Sequence, residues 1–259
     1  MTTSSGTDSF IRAKLGEQEM GTLSSVFHFE NGLLLYNHAV CGILPLREHV
    51  LQQCYDSPSA GHFSVYKTLH AVTRDFWWPC INSDVKSYVL SCHTCQLAKR
   101  QPGRPAGLLQ PLVTPPGPWH TVSLDFITDL PPSKGFTTIL VVMGLFTKMA
   151  HSIPFTGLPS SKTTASLFVA HIYKQHGWPL ALISDRRAQF TSWFWRELLA
   201  LLKVDLRLFS VHHPQTNGQM ERLNATLEQY LGCYINYEHD DWSSFLPLAE
   251  FAYNYSMHA

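Results

Sequence analysis

Three carboxylates stand in settings suited to metal chemistry: Asp125 in Ser-Leu-Asp-Phe, Asp185 in Ile-Ser-Asp-Arg and Glu221 in Gly-Gln-Met-Glu-Arg, with 35 residues between the last two. Phosphoryl transfer with two Mg²⁺ or Mn²⁺ ions about 4 Å apart needs several carboxylates from different elements, because these hard ions take oxygen ligands. This trio could supply them. A second donor set lies upstream, where Cys92 and Cys95 enclose two residues and 29 residues separate His62 from Cys92. Those three ligands could meet at a structural Zn²⁺ ion.

The elements that must position these groups are legible from local pattern. Residues 122–127 alternate around Asp125 as a strand does, and the apolar run 139–143 follows after turn residues 131–135. Residues 181–185 form a short apolar strand ending at Asp185, after a helical stretch over 161–176 that Gly177 and Pro179 stop. Glu221 follows a loop over 210–218 and opens a helix on which Leu223, Leu227, Tyr230 and Leu231 recur at helical spacing. Two strand carboxylates can thus face a third from a helix. Trp193, Phe194, Trp195, Leu198, Leu199 and Leu202 share helical spacing and are assigned to the core. In the N-terminal half, helices around 47–53, 65–72 and 84–90 form a small bundle, preceded by a hairpin over 26–36 with Asn31-Gly32 at its turn.

Composition bounds the reading. With 259 residues and 45% hydrophobic content, the chain can bury a core domain and a smaller one. The polar N-terminus carries no targeting signal, and the best apolar run, 139–146, is too short to span a bilayer, so a soluble intracellular chain without membrane association is expected. The six cysteines then suit metal ligands and core thiols rather than disulfides. Formal net charge is zero, yet no acidic residue lies between Asp84 and Asp125, where Lys86, Lys99, Arg100 and Arg104 all fall. This stretch reads equally as a phosphate contact and as a Pro/Gly-rich solvated linker.

The chain resembles the integrases of gypsy-type long-terminal-repeat retrotransposons, relatives of retroviral integrases. The resemblance runs from about Gly32 to the end, through Ala60-Gly-His62, Trp77-Trp-Pro79, Ser91-Cys-His-Thr-Cys-Gln96, Pro118-Trp119, Asp125-Phe-Ile127, Ser184-Asp-Arg186, Gln189-Phe-Thr-Ser192, His213-Pro-Gln-Thr216 and Glu250-Phe-Ala-Tyr-Asn254. It implies an α/β fold: an RNase H-like catalytic core preceded by a small helical zinc-binding-like module and an N-terminal β-hairpin. The expected boundaries are 1–44 for the hairpin extension, 45–100 for the zinc module, 101–118 for the linker and 119–259 for a C-terminally truncated core. Asp125, Asp185 and Glu221 match the family's metal-binding catalytic triad. The implied reaction is DNA 3′-end processing and strand transfer by a homo-oligomer acting on element ends and target DNA in the nucleus. The other reading is a catalytically impaired or domesticated integrase that binds nucleic acid. Lys86, Lys99, Arg100, Arg104, Gln215 and Asn217 are the candidate DNA contacts, and His212 and His213 could assist proton transfer.

Several positions depart from the family pattern. Tyr55 stands where the family has the first zinc histidine, and Cys54, one residue away, is the substitute candidate for a fourth ligand, against a three-ligand or lost site. Arg187 replaces a glycine two residues after Asp185, where the glycine could have supplied a special backbone conformation. Cys80, Gly144 and Asn217 replace a glycine, an aspartate and an aspartate.

Overall fold

The computed structural model describes residues 9–42, 44–98, 115–208 and 214–258, the side chains of 214–217 aside. The chain divides into two compact units, Met1–Leu97 and Ala98–His258. Lys99, Arg100, Arg104, His212 and His213 lie outside the described residues, as do the side chains of Gln215 and Asn217.

In the first unit, α1 (Ser9–Glu19) precedes β1 (Phe27–Glu30), β2 (Leu33–Tyr36) and β3 (Ala39–Cys41). Asn31 and Gly32 both have positive φ, 50° and 79°, as a tight turn between right-twisted strands requires. The hairpin is not a separate body: β3 pairs in parallel with β4 (Phe76–Trp77), which follows α3 (Val65–Asp75), giving a four-stranded sheet β1-β2-β3-β4. Tyr36 stacks on Trp77 at 4.2 Å across this sheet. The helical bundle comprises α2 (Leu44–Leu51), which runs on as a π-helical turn Gln52–Asp56, then α3 and α4 (Ile81–Leu90), with the short α5 (His93–Ala98) after it. Val50, Leu51, Val72, Trp78, Ile81 and Val85 form its buried core, with Cys54 packed against it.

The second unit is built on a mixed sheet of β5 (Thr121–Ile127), β6 (Thr138–Gly144), β7 (Ala150–Phe155), β8 (Ala181–Ser184) and β9 (Asp205–Leu208), in the order β7-β6-β5-β8-β9. The first three strands are antiparallel, while β8 and β9 run parallel to β5. That order and polarity make it an RNase H-like fold. Helical connections follow the strands: α6 (Ser161–Phe168) continues through a π-helical turn Val169–Tyr173 into α7 (Lys174–His176), and α8 (Ala188–Thr191) and α9 (Trp193–Leu201) link β8 to β9. The C-terminal pair is α10 (Pro214–Tyr234) and α11 (Trp242–Tyr255). Successive strand residues face opposite sides. Val122, Leu124 and Phe126 therefore join one core cluster with Leu140, Val142, Phe168, Leu182, Phe190, Trp195 and Leu199, while Asp125 faces the other side. Burial of each such large apolar side chain stabilises the unit by about 1.5–3 kcal/mol.

Two expectations need correction. Helix α10 starts at Pro214, so Glu221 lies two turns inside it rather than opening it. Trp193 is 77% exposed and Phe194 is exposed too, because α9 turns Trp195 and Leu199 inward and its other face to solvent.

Candidate functional site

Asp125 sits in the middle of β5 opposite Val141 of β6, and Asp185 directly follows the last residue of the neighbouring parallel strand β8. Because β5 and β8 pair through Leu124 and Ser184, the chain brings the two aspartates side by side at one edge of that pairing. Asp125 is fixed by three contacts. Its Oδ1 accepts from the Phe126 backbone N–H at 2.8 Å, its Oδ2 accepts from Asn224 Nδ2 at 2.8 Å, and Arg187 Nη2 lies 3.9 Å from Oδ1. Burial pushes the Asp125 carboxyl above the usual range, opposed by the Phe126 N–H and by the Arg187 guanidinium.

Glu221 is exposed on α10. Asn224, three residues further on, shares its helix face. The Asn224 bond to Asp125 therefore ties that face of α10 to the acidic strand, and Lys148 Nζ donates to Gln219 Oε1 at 2.9 Å just before Glu221. Sequence reasoning missed Asn224, although its i+3 relation to Glu221 was the available signal.

Arg187 shapes the acidic pair. Its Nε donates to Asp185 Oδ2 at 2.8 Å and its backbone N–H to Asp185 Oδ1 at 3.1 Å, while its guanidinium also lies 5.9 Å from the Phe126 ring centroid. Its φ of −60° is open to any residue. Replacing glycine here therefore strains nothing in the backbone and instead delivers a cation to two carboxylates. Cys80, by contrast, adopts φ 67°, the left-handed conformation that glycine takes easily.

The second centre lies in the first unit. Among the described residues, His62, Cys92 and Cys95 form the three-residue group whose donor atoms all lie within 4.8 Å of one another. His62 Nδ1 and Cys92 Sγ are 3.5 Å apart, close to the roughly 3.6 Å expected for N and S ligands about 2.1 and 2.3 Å from one tetrahedral Zn²⁺. The donor set and its spacing fit that ion. Cys54 is not in this group: it packs against the helical core, where burial pushes its thiol up. The fully buried Tyr55 lies beside this group, its hydroxyl 3.0 Å from Cys95 Sγ and its ring edge-on to His62 at 4.8 Å. Burial, and then the hydrogen bonds to the Cys95 and Cys92 sulfurs, hold that hydroxyl far above the usual tyrosine range, so it stays a donor. Tyr88 donates to Asp56, whose carboxylate lies 3.8 Å from His62 Nδ1.

Comparison with known proteins agrees with the His62, Cys92 and Cys95 group of the first unit. Residues 44–101 match the integrase zinc binding domain. The Tf2-3 and Tf2-4 transposon polyproteins of Schizosaccharomyces pombe are each 31% identical over 214 residues, covering 83% of this chain. The chain belongs to the integrase family of long-terminal-repeat retrotransposons. It spans 16% of the length of those polyproteins. Two structures of the HTLV-2 integrase catalytic core domain in complex with magnesium are also similar. The dimeric form has 19% identity and a TM-score of 0.37, over 45% of this chain and 72% of that one. The trimeric form has 18% identity and a TM-score of 0.41, over 51% and 82%. The fold of this integrase rests on its strand order rather than on those superpositions. Lys86 is exposed on α4, which leaves it accessible to phosphate.

Proposed function

We propose that this integrase-family chain performs metal-dependent DNA 3′-end processing and strand transfer, with Asp125, Asp185 and Glu221 as its catalytic carboxylates. The observation that carries this reading is that the paired strands β5 and β8 set Asp125 beside Asp185, while Asn224, on the Glu221 face of α10, donates to Asp125 Oδ2 at 2.8 Å. Asn224 holds the Asp125 carboxylate in its rotamer and keeps the Glu221 face of α10 against β5. The charge and oxygen donors suit Mg²⁺ or Mn²⁺. A divalent ion bound there would supply positive charge to the oxygen attacking phosphorus and to the oxygen leaving it. His62, Cys92 and Cys95 would hold structural Zn²⁺ and lock the end of α4 to the loop before α3. DNA is the inferred partner, two ends must be joined by more than one copy, and the substrate places the work in the nucleus.

Purified protein with labelled linear DNA and Mn²⁺ tests the reading. Asp125→Asn, Asp185→Asn and Glu221→Gln should each reduce metal-dependent cutting or joining by at least about a hundredfold while leaving the fold intact, because amides keep the shape and lose the charge. Activity retained in any one variant removes that residue from the triad. The ion pairs of Arg187 favour a second reading, a DNA-binding protein that has lost catalysis. It predicts DNA binding by the wild type and all three variants, with no metal-dependent chemistry in any.

A further inference from the structure

We infer that Arg187 is a built-in counter-cation that sets the affinity of the acidic pair for divalent metal, competing with the ion for Asp125 and Asp185. The inference rests on the reading of those two residues as metal carboxylates. The geometry is that of a cation already installed. Arg187 Nε lies 2.8 Å from Asp185 Oδ2, its Nη2 lies 3.9 Å from Asp125 Oδ1, and its own backbone N–H takes the other Asp185 oxygen at 3.1 Å. Both Asp185 oxygens are therefore engaged by one residue two positions away. An ion that uses these oxygens must displace at least the guanidinium.

The surroundings make the competition effective. The Arg187 side chain is 34% exposed and those of Asp125 and Asp185 are 20% and 32% exposed, so water screens the pair only in part. The guanidinium also lies near the Phe126 ring, which limits its swing. A guanidinium presents a fixed planar fork and does not lose its proton, so raising the pH within the working range does not release the carboxylates. The φ of −60° shows that alanine can replace Arg187 without backbone strain, which makes the test clean.

The test is Mn²⁺ titration of the full chain, read by calorimetry and by the loss of free-ion paramagnetic signal, for the wild type, Arg187→Ala, Arg187→Lys, Asp125→Asn and the Arg187→Ala/Asp125→Asn pair. Arg187→Ala should bind Mn²⁺ at least about tenfold more tightly than the wild type, a difference of about 1.4 kcal/mol. Arg187→Lys, which keeps the charge but not the fork, should fall between them. Without metal, Arg187→Ala should melt lower than the wild type, because two carboxylates then face each other unpaired, and Mn²⁺ should raise its melting temperature more than it raises that of the wild type. Equal Mn²⁺ affinity in Arg187→Ala and the wild type, with Asp125→Asn abolishing both, overturns the competition and leaves the metal reading intact. Binding that Asp125→Asn does not weaken in either background overturns the metal reading itself.

Discussion

Tyr55 and Arg187 each replace a residue of the family pattern, and each acts through the atoms it adds beside a proposed metal site. Tyr55 puts a protonated hydroxyl 3.0 Å from Cys95 Sγ, nearer than the roughly 3.5 Å separating O and S ligands of one tetrahedral Zn²⁺. It is thus placed to donate to a thiolate ligand rather than to bind beside it. Loss of such an outer partner costs roughly tenfold or more in metal affinity. Competition against a zinc-binding dye should therefore show weaker Zn²⁺ binding in Tyr55→Phe, tighter binding in Tyr55→His, loss in Cys92→Ser and little change in Cys54→Ser. A large loss in Cys54→Ser would move the fourth ligand back to Cys54. At this scale the sequence revealed the donor types, since Cys-x-x-Cys and alternation around Asp125 are local signals. It did not reveal which of Cys54 and Tyr55 faces the site, because a one-residue step turns the side chain by about 100° and the π-helical turn Gln52–Asp56 changes that phase.

The strands that carry the acidic pair were readable from the alternation around Asp125 and the short apolar run before Asp185, and the helical run before β8 from the Gly177 and Pro179 that stop it. Strand β7 was not, because His151, Ser152 and Pro154 interrupt its pattern. Its free edge is closed by α11 instead of by another strand. Asn254 accepts from the Ala150 N–H and donates to the Ala150 carbonyl, both at 2.8 Å, and Glu250 accepts from the Ser152 N–H at 2.8 Å. The family motif that contains Glu250 and Asn254 thus has a physical task here: it satisfies the backbone groups of an edge strand. Asn254→Ala removes the partners of two backbone groups, and a cost of about 1–3 kcal/mol follows. Thermal or urea unfolding should show that loss. Stability equal to the wild type would mean that water replaces Asn254 without cost.

Across the whole molecule, charge and proton balance set the conditions under which the core persists. His151 Nδ1 faces Glu250 Oε1 at 3.0 Å, and its Nε2 faces His176 Nε2 at 2.9 Å, with Trp119 stacked on His176 at 3.7 Å. Two facing Nε2 atoms can share one proton, and a second breaks the contact. Burial, then the charge of His151, accordingly holds His176 below the usual histidine range. A folded-state pKa below the unfolded value means that the unfolded chain takes up the extra proton first. The stability from this contact is present above pH ~6.5 and is lost as pH falls below it. His176→Gln should flatten the drop in melting temperature between pH 7.5 and 5.5. An equal drop in both proteins would place the acid sensitivity elsewhere. Among the described residues, no helix is long and apolar enough to cross a membrane.

The central claim is that Asp125, Asp185 and Glu221 work as one metal-dependent phosphoryl-transfer centre. Its most direct test is the reversal of joining on a preassembled branched DNA, because the substrate itself supplies alignment that accounts for several kcal/mol of such a barrier. The wild-type chain with Mn²⁺ should resolve the branch, and addition of a chelator or substitution Asp125→Asn should stop it. Resolution that persists in Asp125→Asn, or a folded wild type that leaves the branch intact at saturating Mn²⁺, would contradict the account.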